Sequence, residues 1–318
     1  MANNNFLEKA KAVVLGHAVA DALGVPVEFC SRETLEEEPV TDMMGYGTYN
    51  VPAGSWSDDT SMSLCAIDAI VDGKLYLNMI ATNFVSWYYL ADYTPGGRVF
   101  DVGLTCDNVI RKMMEEGKLW DECGETSEYS NGNGSLMRIH PVALYAYRLN
   151  EDVKTKIEMV EKASAITHAH ARSKIACGIY AFILWRLLDG QENAVALGLN
   201  DAKEYYKDEP ELAHYKRLLS FADLQTVKNT PVSEIKSSGY VVDTFESALW
   251  CLLTTESYAD CVLKAVNLGK DTDTVGAIAG GLAGALYGYD AIPKKWLDTL
   301  IKRDYIEELC SKAYGENK

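Results

Sequence analysis

Asn267-Leu268-Gly269-Lys270-Asp271-Thr272-Asp273-Thr274-Val275 leads directly into Gly276-Ala277-Ile278-Ala279-Gly280-Gly281-Leu282-Ala283-Gly284-Ala285. The second half reads as a helix of small residues, with Gly276, Gly280 and Gly284 in register. Glycine costs up to about 1 kcal/mol in a helix interior, so such a stripe marks a crowded centre where another element comes close. The first half places the carboxylates of Asp271 and Asp273 and the hydroxyl of Thr274 where the chain turns into that helix.

Working outward, Ser57-Asp58-Asp59-Thr60 has the same character and also opens an apolar helical run that ends at Gly73. Ser, Asp and Thr are preferred helix caps, and acids in a first turn suit the helix dipole, so either stretch taken singly reads as capping. Both, however, carry two carboxylates and a hydroxyl, which is more than a cap requires. If the two helix starts face each other, like charges that close cannot all ionise without cations between them. Oxygen-only ligands suit magnesium, manganese or calcium, not zinc.

A third stretch, from Leu7 to Leu23, has helical apolar periodicity and carries Gly16, Ala20 and Gly24 four residues apart. This spacing predicts a central helix, ended by Gly24 and Pro26. Glu28 follows in an apolar turn. Asp101 lies in a glycine-rich loop, where it reads as the N-cap of a helix running to Met114. Asn131-Gly132-Asn133-Gly134-Ser135 precedes an apolar run and predicts backbone N–H groups at a helix start, able to hold an anion. It lacks the lysine and third glycine of nucleotide-binding loops, and a tight turn explains the stretch equally well. Val153 to Leu188 reads as helix with Thr167-His168 inside it, and the five histidines share no metal-ligand spacing. Ser238 to Glu246 opens another helix, through Trp250 to Leu253, with Tyr240 as a candidate stacking platform.

With few alternating strand patterns anywhere, the expected fold is all-α: one compact domain over 1–318, with 190–237 as a variable surface subregion. Of the 318 residues 48% are apolar, enough for a large core, and the net charge of −16 argues against binding a phosphate backbone or an anionic membrane. Val275 to Tyr287, read as the longest apolar segment, is shorter than the roughly 20 residues of a membrane span. The first residues show no basic region followed by an apolar stretch. Eight cysteines without a C-x-x-C pair read as core thiols in a reducing cytoplasm.

Taken in order, Gly16 to Phe29, Gly54 to Thr60, Gly97 to Gly103, Asn131 to Pro141, Thr167-His168, Ser238 to Trp250 and Asn267 to Gly288 resemble the ADP-ribosylglycohydrolase family, most closely its dinitrogenase-reductase-activating type. The resemblance spans nearly the whole chain and implies a mostly helical domain with two magnesium or manganese ions. It implies Ser57, Asp58, Asp59, Asp271, Asp273 and Thr274 as metal ligands, and Glu28 and Asp101 as catalytic residues. Asn133, Gly134, Ser135 and His168 fall where the family holds pyrophosphate and ribose, and Tyr240 where it holds the adenosine end. The implied activity is hydrolytic removal of ADP-ribose from an ADP-ribosylated protein or small molecule, with the Gly97 to Gly103 match favouring arginine linkage over serine or O-acetyl-ADP-ribose. Cleaving a ribosyl C1–N bond passes through an oxocarbenium-like state, which metal-gripped ribose hydroxyls and an activated water suit. Asp271-Thr272-Asp273-Thr274-Val275 also mimics the nucleophile motif of haloacid-dehalogenase-like phosphatases, but no apolar strand precedes it. A non-catalytic ADP-ribose-binding or structural relative is the rival of another class, although such a role has no use for four clustered carboxylates.

Overall fold

A computed structural model of the chain describes residues 2–315. The helices in order are α1 (Ala2–Gly24), α2 (Arg32–Glu37), α3 (Asp58–Asp68), α4 (Leu77–Leu90), α5 (Leu104–Glu115), α6 (His140–Arg148), α7 (Val153–Ala165) and α8 (Ala171–Leu188). They continue with α9 (Ala194–Tyr205), α10 (Lys216–Ser220), α11 (Leu224–Asn229), α12 (Val241–Leu253), α13 (Tyr258–Val266), α14 (Thr272–Tyr287), α15 (Lys294–Thr299) and α16 (Arg303–Tyr314). The one sheet among the described residues is a hairpin, β1 (Ile70–Val71) against β2 (Lys74–Leu75). The fold is therefore all-α.

At its centre α1 and α14 run antiparallel, small face to small face. A Cβ built on Gly280 would lie 2.4 Å from both the Gly16 carbonyl oxygen and the Ala20 methyl, and one on Gly284 would lie 2.1 Å from the Ala12 carbonyl oxygen. The two stripes expected to admit a neighbour are thus each other's neighbour. Large side chains fill the space outside this pair, among them the fully buried Trp56, Phe84, Trp87, Tyr258 and Trp296. The same core takes in Leu199, Tyr215, Leu218, Phe221 and Val227 from the segment 190–237.

Several local expectations are corrected. Gly24 does not end α1 through a left-handed cap, since its φ is −80°. It is small because a Cβ there would lie 2.4 Å from the backbone of Asp273. The helix opened by Asp58 stops at Asp68, and the chain reverses through Asp72 and Gly73 in the hairpin rather than staying helical to Gly73. Val153 to Leu188 is two helices, and Thr167-His168 sits in the turn between them. The longest apolar helical stretch is Phe6–Val27, which matches a membrane span in length and composition but is 94% buried inside the fold.

Alanine is favoured over glycine in a free helix by about 1 kcal/mol. At Gly280 the sign should reverse: Gly280→Ala should lose roughly 2 kcal/mol of stability by overpacking, read from the urea midpoint. Gly96→Ala, with no atom within 4 Å of the new Cβ, should leave that midpoint unchanged.

Candidate active site

The α1–α14 contact ends where the carboxylates begin. Asp21, in the last turn of α1, is fully buried and accepts four bonds: Ser57 N to each of its oxygens (2.9 and 3.1 Å), Thr60 N (3.1 Å) and the Thr60 hydroxyl (2.6 Å). An acid from one helix thereby satisfies the free N–H groups at the start of another. The Ser57 hydroxyl completes the cap by accepting from Asp59 N (3.3 Å) and donates to Asp59 Oδ2 (3.1 Å). With Asp21 and Ser57 capping α3, the carboxylates of Asp58 and Asp59 are not needed for it.

At α14 the capping explanation fails more directly. Asp271 occupies the N-cap position but makes no side-chain cap bond. Its Oδ2 instead receives the Asn133 amide (2.7 Å), which also reaches the Thr244 hydroxyl (3.0 Å). Asp273 Oδ1 accepts from Thr274 N (2.9 Å), and the Thr274 hydroxyl donates across to Asp59 Oδ2 (3.3 Å). The two helix starts therefore do face each other.

Oxygens of Asp21, Asp59 and Asp273 lie within 4.8 Å of one another, and so do oxygens of Glu28, Asp271 and Asp273. Asp273 is common to both groups. Asp59 Oδ1 and Asp273 Oδ2 are buried and have no hydrogen-bond partner. Unpaired carboxylate oxygens in a dry cluster are costly, and hard divalent cations are the partners that an all-oxygen donor set fits. Burial pushes Asp58, Asp59, Asp271 and Asp273 above the usual carboxylate range, and it raises Asp21 to about 6 against its hydrogen bonds from Thr60 and Ser57. Glu28 is pushed up to about 9, first by burial and then by the charge of Asp101, despite a 2.6 Å hydrogen bond from the Tyr49 hydroxyl.

A cleft of about 610 Å³ opens onto this cluster, lined by Glu28, Asp58, Asp101, Asn133, Gly134, His168, Asp271 and Thr274 among others. Asp101 does not cap the next helix: the cap of α5 is Gly103, and Asp101 has a left-handed backbone (φ 53°). The Asn131–Gly134 turn is not a helix start either, since α6 begins at His140. Some of its backbone is already paired, Asn133 N with Gly239 O (3.0 Å) and Asn131 O with Val241 N (3.0 Å). Ser135 lies behind the turn, fully buried and bonded to Ser164 (2.9 Å). Tyr240 borders a neighbouring groove with His214 and Arg217. Lys270 is exposed, and its N–H and carbonyl pair with Cys30 O (2.7 Å) and Phe29 N (2.6 Å).

Over residues 2–318 the chain matches the sequence model of the ADP-ribosylglycohydrolases. The chain belongs to the ADP-ribosylglycohydrolase family. Among relatives, it is 32% identical to the ADP-ribosylarginine hydrolase Tri1 of Serratia proteamaculans, over 97% of this chain and 79% of that protein. It is also 32% identical to the ADP-ribosyl-[dinitrogen reductase] glycohydrolase of Rhodospirillum rubrum, over 92% of this chain and 90% of that one. A solved structure described as an ADP-ribosylglycohydrolase-related protein complex superposes with a TM-score of 0.78 at 27% identity, covering 98% of both chains. The protein is thus a glycosidic-bond hydrolase of this family, with a buried acidic cluster that could hold metal ions.

Asp21 and Tyr49 are the site residues that sequence reading missed. The signal for Asp21 was a lone carboxylate in an otherwise small and apolar helix face. Nothing local marked Tyr49, because its role depends on a loop folding over Glu28. Asp21→Ala should cost at least about 3 kcal/mol, since it strands three buried donors at roughly 1–3 kcal/mol each. Asp21→Asn, which keeps one acceptor, should cost less, both read by urea unfolding.

In metal-free protein, carboxyls held above their unfolded values stabilise the fold while protonated. That stability is complete below about 4 and is lost as pH rises through the folded values, about 6 for Asp21 and about 9 for Glu28. Above pH 7, where the buried His17, His140 and His168 are uncharged in both states, the melting temperature in chelator should therefore fall steadily to pH 9.

Proposed function

We propose that the protein hydrolyses ADP-ribose from modified arginine side chains with two divalent cations, magnesium or manganese, held at the floor of the cleft. The observation that carries this reading is the pair of carboxylate groups joined at Asp273, each with a buried unpaired oxygen, in a member of this family. Arginine linkage is supported by the named activity of the Serratia relative and by the Gly97 to Gly103 loop.

Asp21, Asp59 and Asp273 would hold one cation and Asp271 and Asp273 the other, with Glu28, Ser57, Asp58 and Thr274 beside them. Bound there, the cations supply charge neutralisation, a grip on ribose hydroxyls and a water acidified toward neutral pH.

The chain's own groups do the rest. Asn133 holds Asp271 in place through its amide. Tyr49 donates to Glu28 and fixes the direction of that carboxylate. Asp101, carried on a left-handed turn beside Glu28 at the cleft wall, is placed to take the proton of an attacking water or to orient it; Glu28 is the other candidate base. His168 and Gly134 line the wall where the diphosphate would lie, and Tyr240 in the adjoining groove would contact the adenosine end. The substrate is an ADP-ribosylated protein or small molecule in the cytoplasm, in keeping with eight cysteines that are all free and mostly buried.

The test is release of ADP-ribose from ADP-ribosylarginine and ADP-ribosylserine, with magnesium or manganese and with chelator. Metal-dependent release from arginine is expected, and release from serine alone would move the linkage. Asp59→Asn and Asp273→Asn should each lower the rate by at least about 100-fold, beyond the roughly 10–100-fold typical of an outer-shell metal contact. Both should also abolish the rise in melting temperature that manganese gives the wild type at pH 8.

A further inference from the structure

Behind the cleft lies a guanidinium with no carboxylate against it. Arg138 is 1% exposed. Its plane covers the Phe84 ring, 4.6 Å from the centroid, and Nη1 donates to Ala163 O (3.2 Å) in the last turn of α7, where the helix dipole favours a cation. Nη2 donates to the Thr167 hydroxyl oxygen (2.7 Å), and that oxygen lies 2.8 Å from His168 Nδ1. The Thr167 backbone is fixed from both sides, its carbonyl by Glu125 N (2.9 Å) and its N–H by Ser164 O (3.2 Å).

The direction of these bonds follows from what each group can do. A guanidinium only donates, so Thr167 accepts from Arg138. Thr167 has one hydroxyl proton and is fully buried, so that proton needs an acceptor within the protein. His168 Nδ1 is the strong acceptor at hand. The nearby Cys106 thiol is pushed up to about 11 by burial and, being uncharged, is a weak one. With Nδ1 accepting, the proton of the neutral ring belongs on Nε2, the nitrogen that sits beside Gly132 in the cleft. Burial and the Arg138 charge push the ring down to about 3, so it stays uncharged among the neighbouring carboxylates.

We propose that Arg138 and Thr167 are positioning residues: their directed hydrogen bonds hold His168 in the Nε2–H tautomer, so that the cleft wall presents a neutral donor to an anionic substrate oxygen. This rests on the reading of His168 as a substrate contact. Neither Arg138 nor Thr167 lines the cleft.

Two measurements on the free protein decide it. Long-range 1H–15N spectra of the histidine rings, assigned with His168→Gln, should show the His168 proton on Nε2. Thr167→Val should mix the tautomers and weaken ADP-ribose binding by about 10-fold in calorimetry, the worth of one hydrogen bond to a charged group. Thr167→Ser, which keeps the hydroxyl, should bind within about twofold of wild type. A packing role predicts the reverse order, because Val keeps the volume of Thr and Ser does not. A proton found on Nδ1 in the wild type overturns the proposal, as does Ser binding more weakly than Val, or Val matching the wild type. Failure to release ADP-ribose from arginine would instead sink the hydrolase reading, leaving these two measurements to stand by themselves.

Discussion

The close approach of α1 and α14 is the constraint on which the rest depends. Side-chain-free faces let two helix backbones meet, and at the end of that contact Gly24 lies against the backbone of Asp273. Bringing those chains together also brings Asp21 beside Asp273, and Asp21 in turn grips the start of α3 with Asp59. One packing contact thus assembles the acids of three segments. A larger residue at Gly24 would separate α1 from the very backbone that carries the shared carboxylate.

The cluster so formed runs against stability. Taking carboxylates out of water and setting them side by side raises their proton affinity, and the protein leaves two oxygens without partners. Four of these acids are nonetheless oriented: Asp21 by backbone N–H groups, Asp59 by Ser57 and Thr274, Asp271 by Asn133, Glu28 by Tyr49. Such orientation is what a preorganised binding site needs, and of these acids only Asp21 is held by a capping role. The rest of the cleft lining is built by other means, with His168 and glycine backbone in place of acids and the Arg138 guanidinium buried behind them.

The helices were legible where periodicity was strong and uninterrupted, as in α1, α12 and α14. They were less so at Thr167-His168, where the small residues around the break are equally at home in a helix, and at Gly73, where two residues per strand leave no pattern to read. The two acid-rich helix starts could be picked out from residue type and spacing, and the resemblance named the six metal-ligand candidates within them. The placing of Asp101 as a cap and of the Asn131–Gly134 turn as a helix start did not survive, since both judgements turned on where the next helix begins, and loop geometry moved that start by several residues.

The sequence by itself determined the helical class, the small-residue faces and the presence of two acid-rich helix starts, because these are properties of local spacing. It carried no information on which face meets which. Only the tertiary structure decided that Gly16 meets Gly280, that Asp21 caps a helix other than its own, and that Asn133 serves Asp271. Each of these is a contact between residues far apart in the chain, set by shape and hydrogen-bond complementarity that appear once the backbones have met.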